Sequence, residues 1–427
     1  MTATLTRRGF FLGLAAGTGL AVVDAHARRA ERPVSMAAAG VKSDGSDQQA
    51  AIQKLLSAGT PLDGGGATYC VSNTLRLFDD GLLQNATIKY IGPDIAKMAE
   101  YGVITAMNVT GPTIRDVRVD RNGARTSGVA LTSAAIAVIG CTKPVVARCD
   151  VTGDGKGSGV LWRANVGGRL SNVTIHDMTW EDDAARDDVL VGLALDGANT
   201  DNLISRVVVK NLLGYRASGF PRGETRFQTK ALWTRGISHW TGPGSSGNVF
   251  SDCQVSNVDQ AFDAPGRGLR FERCSATDCY TWGFKQAHNG FGTRFTDCVA
   301  TRCGYAGFVF SQTQAAGEMT VKVLRIVNCR SIDSGTSNCT GSPTTTSTPV
   351  GVPALWADPK ASGFLFTGAS GLSPEDVEIL GGAATDRYGR MVFGVNNATA
   401  SRTISVDRAF LSQGSASAPT ANVGRLN

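Results

Sequence analysis

Asp263 and Lys285 end two equivalent triplets, Ala261-Phe262-Asp263 and Gly283-Phe284-Lys285, and a third copy, Gly307-Phe308-Val309, follows them. If the phenylalanines share an interior, strand alternation sends Asp263, Lys285 and Val309 the other way, into one column. An acid and a base then face each other one strand spacing apart, about 5 Å between backbones. One reading is a plain interstrand ion pair. The other is proton abstraction: a lysine amine removes the C5 proton of a uronate whose carboxylate a cation has neutralised, which starts a β-elimination. A free lysine is protonated at neutral pH, so burial or positive neighbours must lower its pKa for that role.

Suitable cations lie just upstream. Arg222, Arg226, Lys230, Trp233, Arg235, His239 and Trp240 fall in the longest interval of the chain. Arginine forks suit carboxylates, and an exposed tryptophan offers a flat face to a sugar ring. Packing of both tryptophans against the wall of the fold is the bland alternative. Arg235 is the candidate charge neutraliser, and His239 is a candidate acid or substrate contact. Arg267 and His288 extend the list of substrate contacts. A preceding turn, Glu181-Asp-Asp-Ala-Ala-Arg-Asp187-Asp188, carries five carboxylates in eight residues. It is either a solvated acidic turn or, through Asp187, a partial oxygen cage for calcium.

These side chains are positioned by a repeat. Phe250-Ser-Asp-Cys253, Phe271-Glu-Arg-Cys274, Phe295-Thr-Asp-Cys298 and Ile326-Val-Asn-Cys329 are one phrase, and Val207, Val173, Cys149, Val117 and Ala86 occupy the cysteine slot upstream. The phrase alternates like a strand and is interrupted by a bend. Repetition at irregular intervals of this length specifies a solenoid, whose rungs keep their strands and vary their turns. The cysteines are therefore expected to be a buried column of free thiols. Cys279 and Cys303 form a second column, and Cys329 with Cys339 is a possible bridge. The expected architecture is all-β, a parallel β-helix. It resembles the right-handed pectate-lyase-like superfold, on the rung phrases and on the entry Val41-Lys-Ser-Asp44-Gly, a short helix, then Thr68-Tyr-Cys-Val.

Phe262-Asp263, Cys274-Ser-Ala, Gly283-Phe284-Lys285 and Asp297-Cys-Val-Ala300 are also similar to the arrangement in β-helix pectate lyases that use a lysine beside a calcium-binding aspartate. That resemblance implies Lys285 as base, Asp263 and Asp259 as calcium ligands, and an acidic polysaccharide as partner. The aspartates here are sparser than that family's cluster, so an arginine-assisted lyase fits equally. Hydrolysis by two of Asp259, Asp263, Asp278 and Asp297 is the rival, although Gly-His-Gly and Arg-Ile-Lys signatures of β-helix polygalacturonases are missing. C5-epimerisation and a non-catalytic, spike-like glycan binder stay open, and the superfold implies either a monomer or a homotrimer.

Thr6-Arg7-Arg8-Gly9-Phe10-Phe11-Leu12, a short apolar run and Ala25-His26-Ala27 resemble a twin-arginine export signal cleaved after Ala27. The expected product is periplasmic or secreted and keeps no membrane anchor. Its lead-in spans 28–45, and the coil with its cap helix spans 46–335. A Ser/Thr/Pro-rich loop at 336–352 precedes final rungs and a C-terminal cap at 353–427. Ser46 with Gln49 reads as a capping box for the helix, with Gly59 as its stop. The formal net charge of +6 suits an acidic polymer, and no basic-aromatic motif points to nucleic acid.

Overall fold

The computed structural model describes residues 32–92, 102–121, 134–153, 157–182, 190–216, 234–240, 245–264, 266, 268–279, 281–286, 292–312, 323–334, 362–368, 376–387, 391, 393–397, 404–413, 420–421 and 424–425. Pro33–Asn427 forms one compact unit. The segment 1–27, expected to be an export signal, and the expected loop at 336–352 lie outside the described residues.

Every strand pairing is parallel, and each rung contributes to three stacks in turn. The first runs through Phe250, Phe271, Phe295 and Ile326. The second runs through Val255, Ala276, Ala300 and Ser331. Phe262, Phe284, Phe308 and Phe364 form the third. Parallel in-register strands place identical rings one strand spacing apart. Ring centroids are accordingly 4.7 and 5.0 Å apart in the first stack, and 4.5, 4.8 and 4.7 Å apart in the third.

The bend that interrupts each phrase is a left-handed residue immediately before the cysteine slot. Asp116, Arg148, Asn172, Arg206, Asp252, Arg273, Asp297 and Asn328 have φ between 51° and 56°. Asn and Asp tolerate this conformation better than most residues, while arginine has no such preference. Stacking supplies partners instead: Arg148 donates to Asp116 at 2.6 Å, Arg273 to Asp252 at 2.7 Å and Asn328 to Asp297 at 2.6 Å.

Beyond each bend the slot residue turns inward. Cys253, Cys274, Cys298 and Cys329 are free, buried thiols. Cys274 and Cys298 each donate to a carbonyl of the preceding rung, at Phe250 and Phe271, both at 3.5 Å. Burial pushes the Cys149 thiol up to about 12. Cys339 lies outside the described residues. Asn165, Asn199, Asn202 and Asn248 tie a turn together, with Asn202 Nδ2 donating to Asn248 Oδ1 at 2.9 Å.

The helix spans Gln49–Ser57 and buries Ile52 and Leu56. The capping box expected at Ser46 does not form. Ser46 donates to Asp44, while Asp47 Oδ1 accepts from the Gln49 and Ser72 amides at 3.0 Å each. Asp47 is the better placed side chain because it lies two residues before the first free helical N–H and also bonds the neighbouring strand. Gln53 exchanges two hydrogen bonds with the Arg76 backbone, at 2.7 and 3.2 Å. The helix thus satisfies the open edge of the third stack, whose first strand is Leu75–Leu77. At the other end, Ser362–Gly368, Asp376–Leu380 and Ile404–Val406 continue the stacks as further rungs. No helix among the described residues is long and apolar enough to cross a membrane.

Candidate active site

The third stack carries the chemistry on the side turned away from the phenylalanine column. Its outer positions form two columns: Val191, Arg235, Gln260, Trp282 and Ala306 in one, and Ala194, Ser238, Asp263, Lys285 and Val309 in the other. Two apolar clusters separate from the coil core lie along them. Ala134, Ala137, Leu161, Val191 and Ala194 form one, and Trp282, Tyr305, Ala306, Val309 and Leu365 form the other. The polar residues between these clusters are themselves buried.

At the centre is the Asp263 carboxylate, whose side chain is 3% exposed. Arg235 Nη1 lies 3.0 Å from its Oδ2, and Lys285 Nζ lies 3.4 Å from its Oδ1. The lysine ammonium also sits 4.8 Å from the centroid of the Trp282 ring, a cation–π contact. Arg235 comes from the strand Thr234–Trp240, Asp263 from Gln260–Asp263 and Lys285 from Trp282–Gln286. Three successive rungs therefore each contribute one charge.

Asp259 precedes the middle strand and is buried. It accepts from Thr281 Oγ1 at 2.8 Å, and its amide donates to Thr234 Oγ1 at 2.9 Å. Burial pushes its carboxyl up to about 7, against the lowering influence of the Thr281 hydrogen bond, Arg235, Gln260 and Lys285. Near neutrality this carboxyl exchanges a proton. With Asp259 protonated, Asp263 is the carboxylate that faces Arg235 and Lys285.

The register expected from the triplets holds for Asp263 and Lys285, and Arg235 joins them. His239 does not. It is buried against the core ring Phe250, with centroids 6.1 Å apart in an edge-to-face contact. Burial pushes its imidazole down to about 4. The physical reason is a break in alternation: Gly236 and Ile237 both face the coil, so Ser238 turns out and His239 turns in. Gly236 is required there because an added Cβ would meet the Ala261 carbonyl oxygen at 2.7 Å.

Trp240 is the register partner of Asp196, and its side chain lies outside the described residues. So do Arg222, Arg226, Lys230, Trp233, Arg267, His288 and Asp187. Both Asp263 oxygens face cations, so a calcium ion there would have to displace Arg235 and Lys285. Among the described residues no group of three or more His, Cys, Asp or Glu side chains is placed to hold a metal. Sequence reading missed Gln260, Thr281 and Trp282. The same repeat was the available signal, since Gln260 and Trp282 stand two residues before Phe262 and Phe284. A cleft of about 620 Å³ lies elsewhere, at the C-terminal rungs of the second stack, lined by Thr301, Ile332, Asp333, Thr385, Asp386, Arg387 and Gln413.

The fold class is a right-handed parallel β-helix, shared with solved structures of very low sequence identity. The N-terminal fragment of bacteriophage phi29 gene product 12 is 11% identical, with a TM-score of 0.51 over 92% of this chain and 70% of its own. A family 28 exopolygalacturonase from Yersinia enterocolitica is 11% identical, with a TM-score of 0.54 over 92% of this chain and 78% of its own. No protein-family model matches the chain, and no curated protein is significantly similar to it.

Proposed function

We propose that this protein is an exported lyase that cleaves a uronate-containing polysaccharide by β-elimination at the Arg235–Asp263–Lys285 cluster. The observation that carries the reading is the convergence of a buried arginine and a buried lysine on one carboxylate, with Arg235 Nη1 3.0 Å and Lys285 Nζ 3.4 Å from Asp263. A guanidinium so placed can exchange Asp263 for the carboxylate of a uronate. In this reading Arg235 binds and neutralises the uronate carboxylate, which acidifies the C5–H bond. Lys285 first gives its own proton to solvent and then, as the free amine, takes the C5 proton. The C–H electron pair becomes the C4–C5 double bond, the C4–O bond breaks, and the leaving oxygen takes a proton from solvent. Asp263 holds both cations in place until the substrate arrives. Arginine fills the role that calcium has in the pectate lyases this chain resembles, so a chelator should leave turnover unchanged. Trp233, Trp240, His288 and the cations Arg222, Arg226, Lys230 and Arg267 are proposed as walls of the sugar groove. The exopolygalacturonase of the same fold acts on a related acidic polymer.

Hydrolysis is a second reading, favoured by Asp259. A carboxyl with a pKa near 7 beside an ionised one is the usual division between general acid and partner carboxylate. One experiment separates the two. Purified protein is incubated with a panel of acidic polysaccharides, with and without chelator, while the ultraviolet absorbance of unsaturated uronate ends and the release of reducing ends are followed. Absorbance that disappears in Lys285→Ala supports the lyase, whereas undiminished absorbance in that variant removes Lys285 as base. Reducing ends without absorbance favour hydrolysis, and binding without either product leaves a glycan-binding protein.

A further inference from the structure

Among the residues whose side chains are described, seven register pairs join two fully charged residues, and five of them carry opposite signs: Lys89–Asp120, Arg118–Asp150, Arg163–Asp196, Asp263–Lys285 and Arg325–Glu378. This is what parallel stacking demands, because like charges directly opposite each other destabilise a sheet. One column departs from the pattern. Arg270, Arg294 and Arg325 are consecutive register partners in the first stack. All three are exposed.

The column is only partly neutralised. Arg325 donates to Glu378 at 3.0 Å, while Arg294 donates to the uncharged Thr296 hydroxyl at 3.2 Å. The backbones that carry these like charges are about 5 Å apart and are held there by the fold itself, since Phe271, Phe295 and Ile326 fix the register from the inside. An anion laid along the column would relieve the repulsion. Three in-line forks suit a polymer with a carboxylate or sulfate on successive units better than a single small ion.

We infer that the Arg270–Arg294–Arg325 column is a non-catalytic binding site for a linear anionic polysaccharide, distinct from the Lys285 cluster on the third stack. The choice of a polysaccharide over other polyanions rests on the function proposed above. The column would hold a chain on the protein's flank while the third stack acts on it, which raises the local concentration of cleavable units.

The test compares wild type, Arg270→Ser/Arg294→Ser, and a control of equal charge change, Arg148→Ser/Arg302→Ser, whose arginines belong to complementary pairs. Binding of polygalacturonate, neutral dextran and duplex DNA is measured by calorimetry at low and raised salt, after circular dichroism confirms the fold. The expected result is at least tenfold weaker polygalacturonate binding in the column variant alone, with a weaker salt dependence and no dextran binding by any form. Equal weakening in both variants, or in neither, overturns the site. DNA binding as tight as polygalacturonate binding, and equally dependent on the column, overturns the choice of ligand. A wild type that binds polygalacturonate through the column and cleaves no member of the acidic panel supports this site while removing the proposed reaction.

Discussion

Asp259→Asn isolates the energetic cost of burying a carboxyl beside Thr281. In the folded protein this group titrates at about 7 against an ordinary value of 3.8. A folded pKa raised above the unfolded one means that the protonated form is the better fit. Its favourable contribution is complete below about pH 4 and is lost as pH rises through 7. Every pH unit separating the folded from the unfolded titration corresponds to about 1.4 kcal/mol, so the full swing is about 4 kcal/mol, of which about 3 kcal/mol falls between pH 5 and pH 8.5. Asparagine keeps the acceptor for Thr281 Oγ1 and has no proton to lose. The stability of Asp259→Asn relative to wild type should therefore rise by about 3 kcal/mol from pH 5 to pH 8.5. Titrating groups outside the cluster are common to both proteins and cancel in the difference. Opening of a single rung need not unfold the coil, so the measurement is hydrogen exchange of peptides covering Gln260–Asp263 and Trp282–Gln286, corrected for the intrinsic effect of pH. Expressed as protection, the difference is roughly a hundredfold. A constant difference between the two proteins across this range would refute the assignment of a neutral, buried carboxyl.

His239 should show the opposite sign: its pKa of about 4 lies below the ordinary 6.5, so its contribution is present above pH 6.5 and is lost as pH falls toward 4. His239→Gln should remove about 2 kcal/mol of that acid sensitivity between the two pH values, read from urea-unfolding midpoints at pH 4.5 and 7, and should leave turnover intact because the ring faces the core. Gly192→Ala places a methyl against the Gly236 carbonyl oxygen, 2.7 Å away, and against Val209. The expected loss is about 1–3 kcal/mol by denaturant titration, and an unchanged midpoint would show that the adjacent rungs separate freely.

Much of this arrangement is legible in the sequence because a β-helix converts sequence position into space by one rule. The cysteine slot and the phenylalanine triplets give the register, and that register places Lys285 beside Asp263 without further information. The rule fails where alternation breaks. Gly236 lets two successive residues face inward, which reverses the expectation for His239. Charge state is equally hidden: Asp259 is an ordinary aspartate in the sequence, and only the burial created by neighbouring rungs makes its carboxyl weak. Arg235 reads as a groove cation in a long insertion, and its pairing with Asp263 follows once Thr234–Trp240 is recognised as a strand. The helix cap depends on a contact from Asp47 to Ser72 that local sequence does not encode.

The left-handed bends have a further consequence. Because successive rungs bend immediately before the same slot, any residue can be located by two coordinates, its rung and its column, as a site is located in a crystal with a single repeat axis. The unit cell can swell, as it does between Val207 and Cys253, and the lattice beyond it keeps its phase. Recognition surfaces on this molecule can therefore diversify by lengthening turns, while the columns that carry the charges keep their addresses.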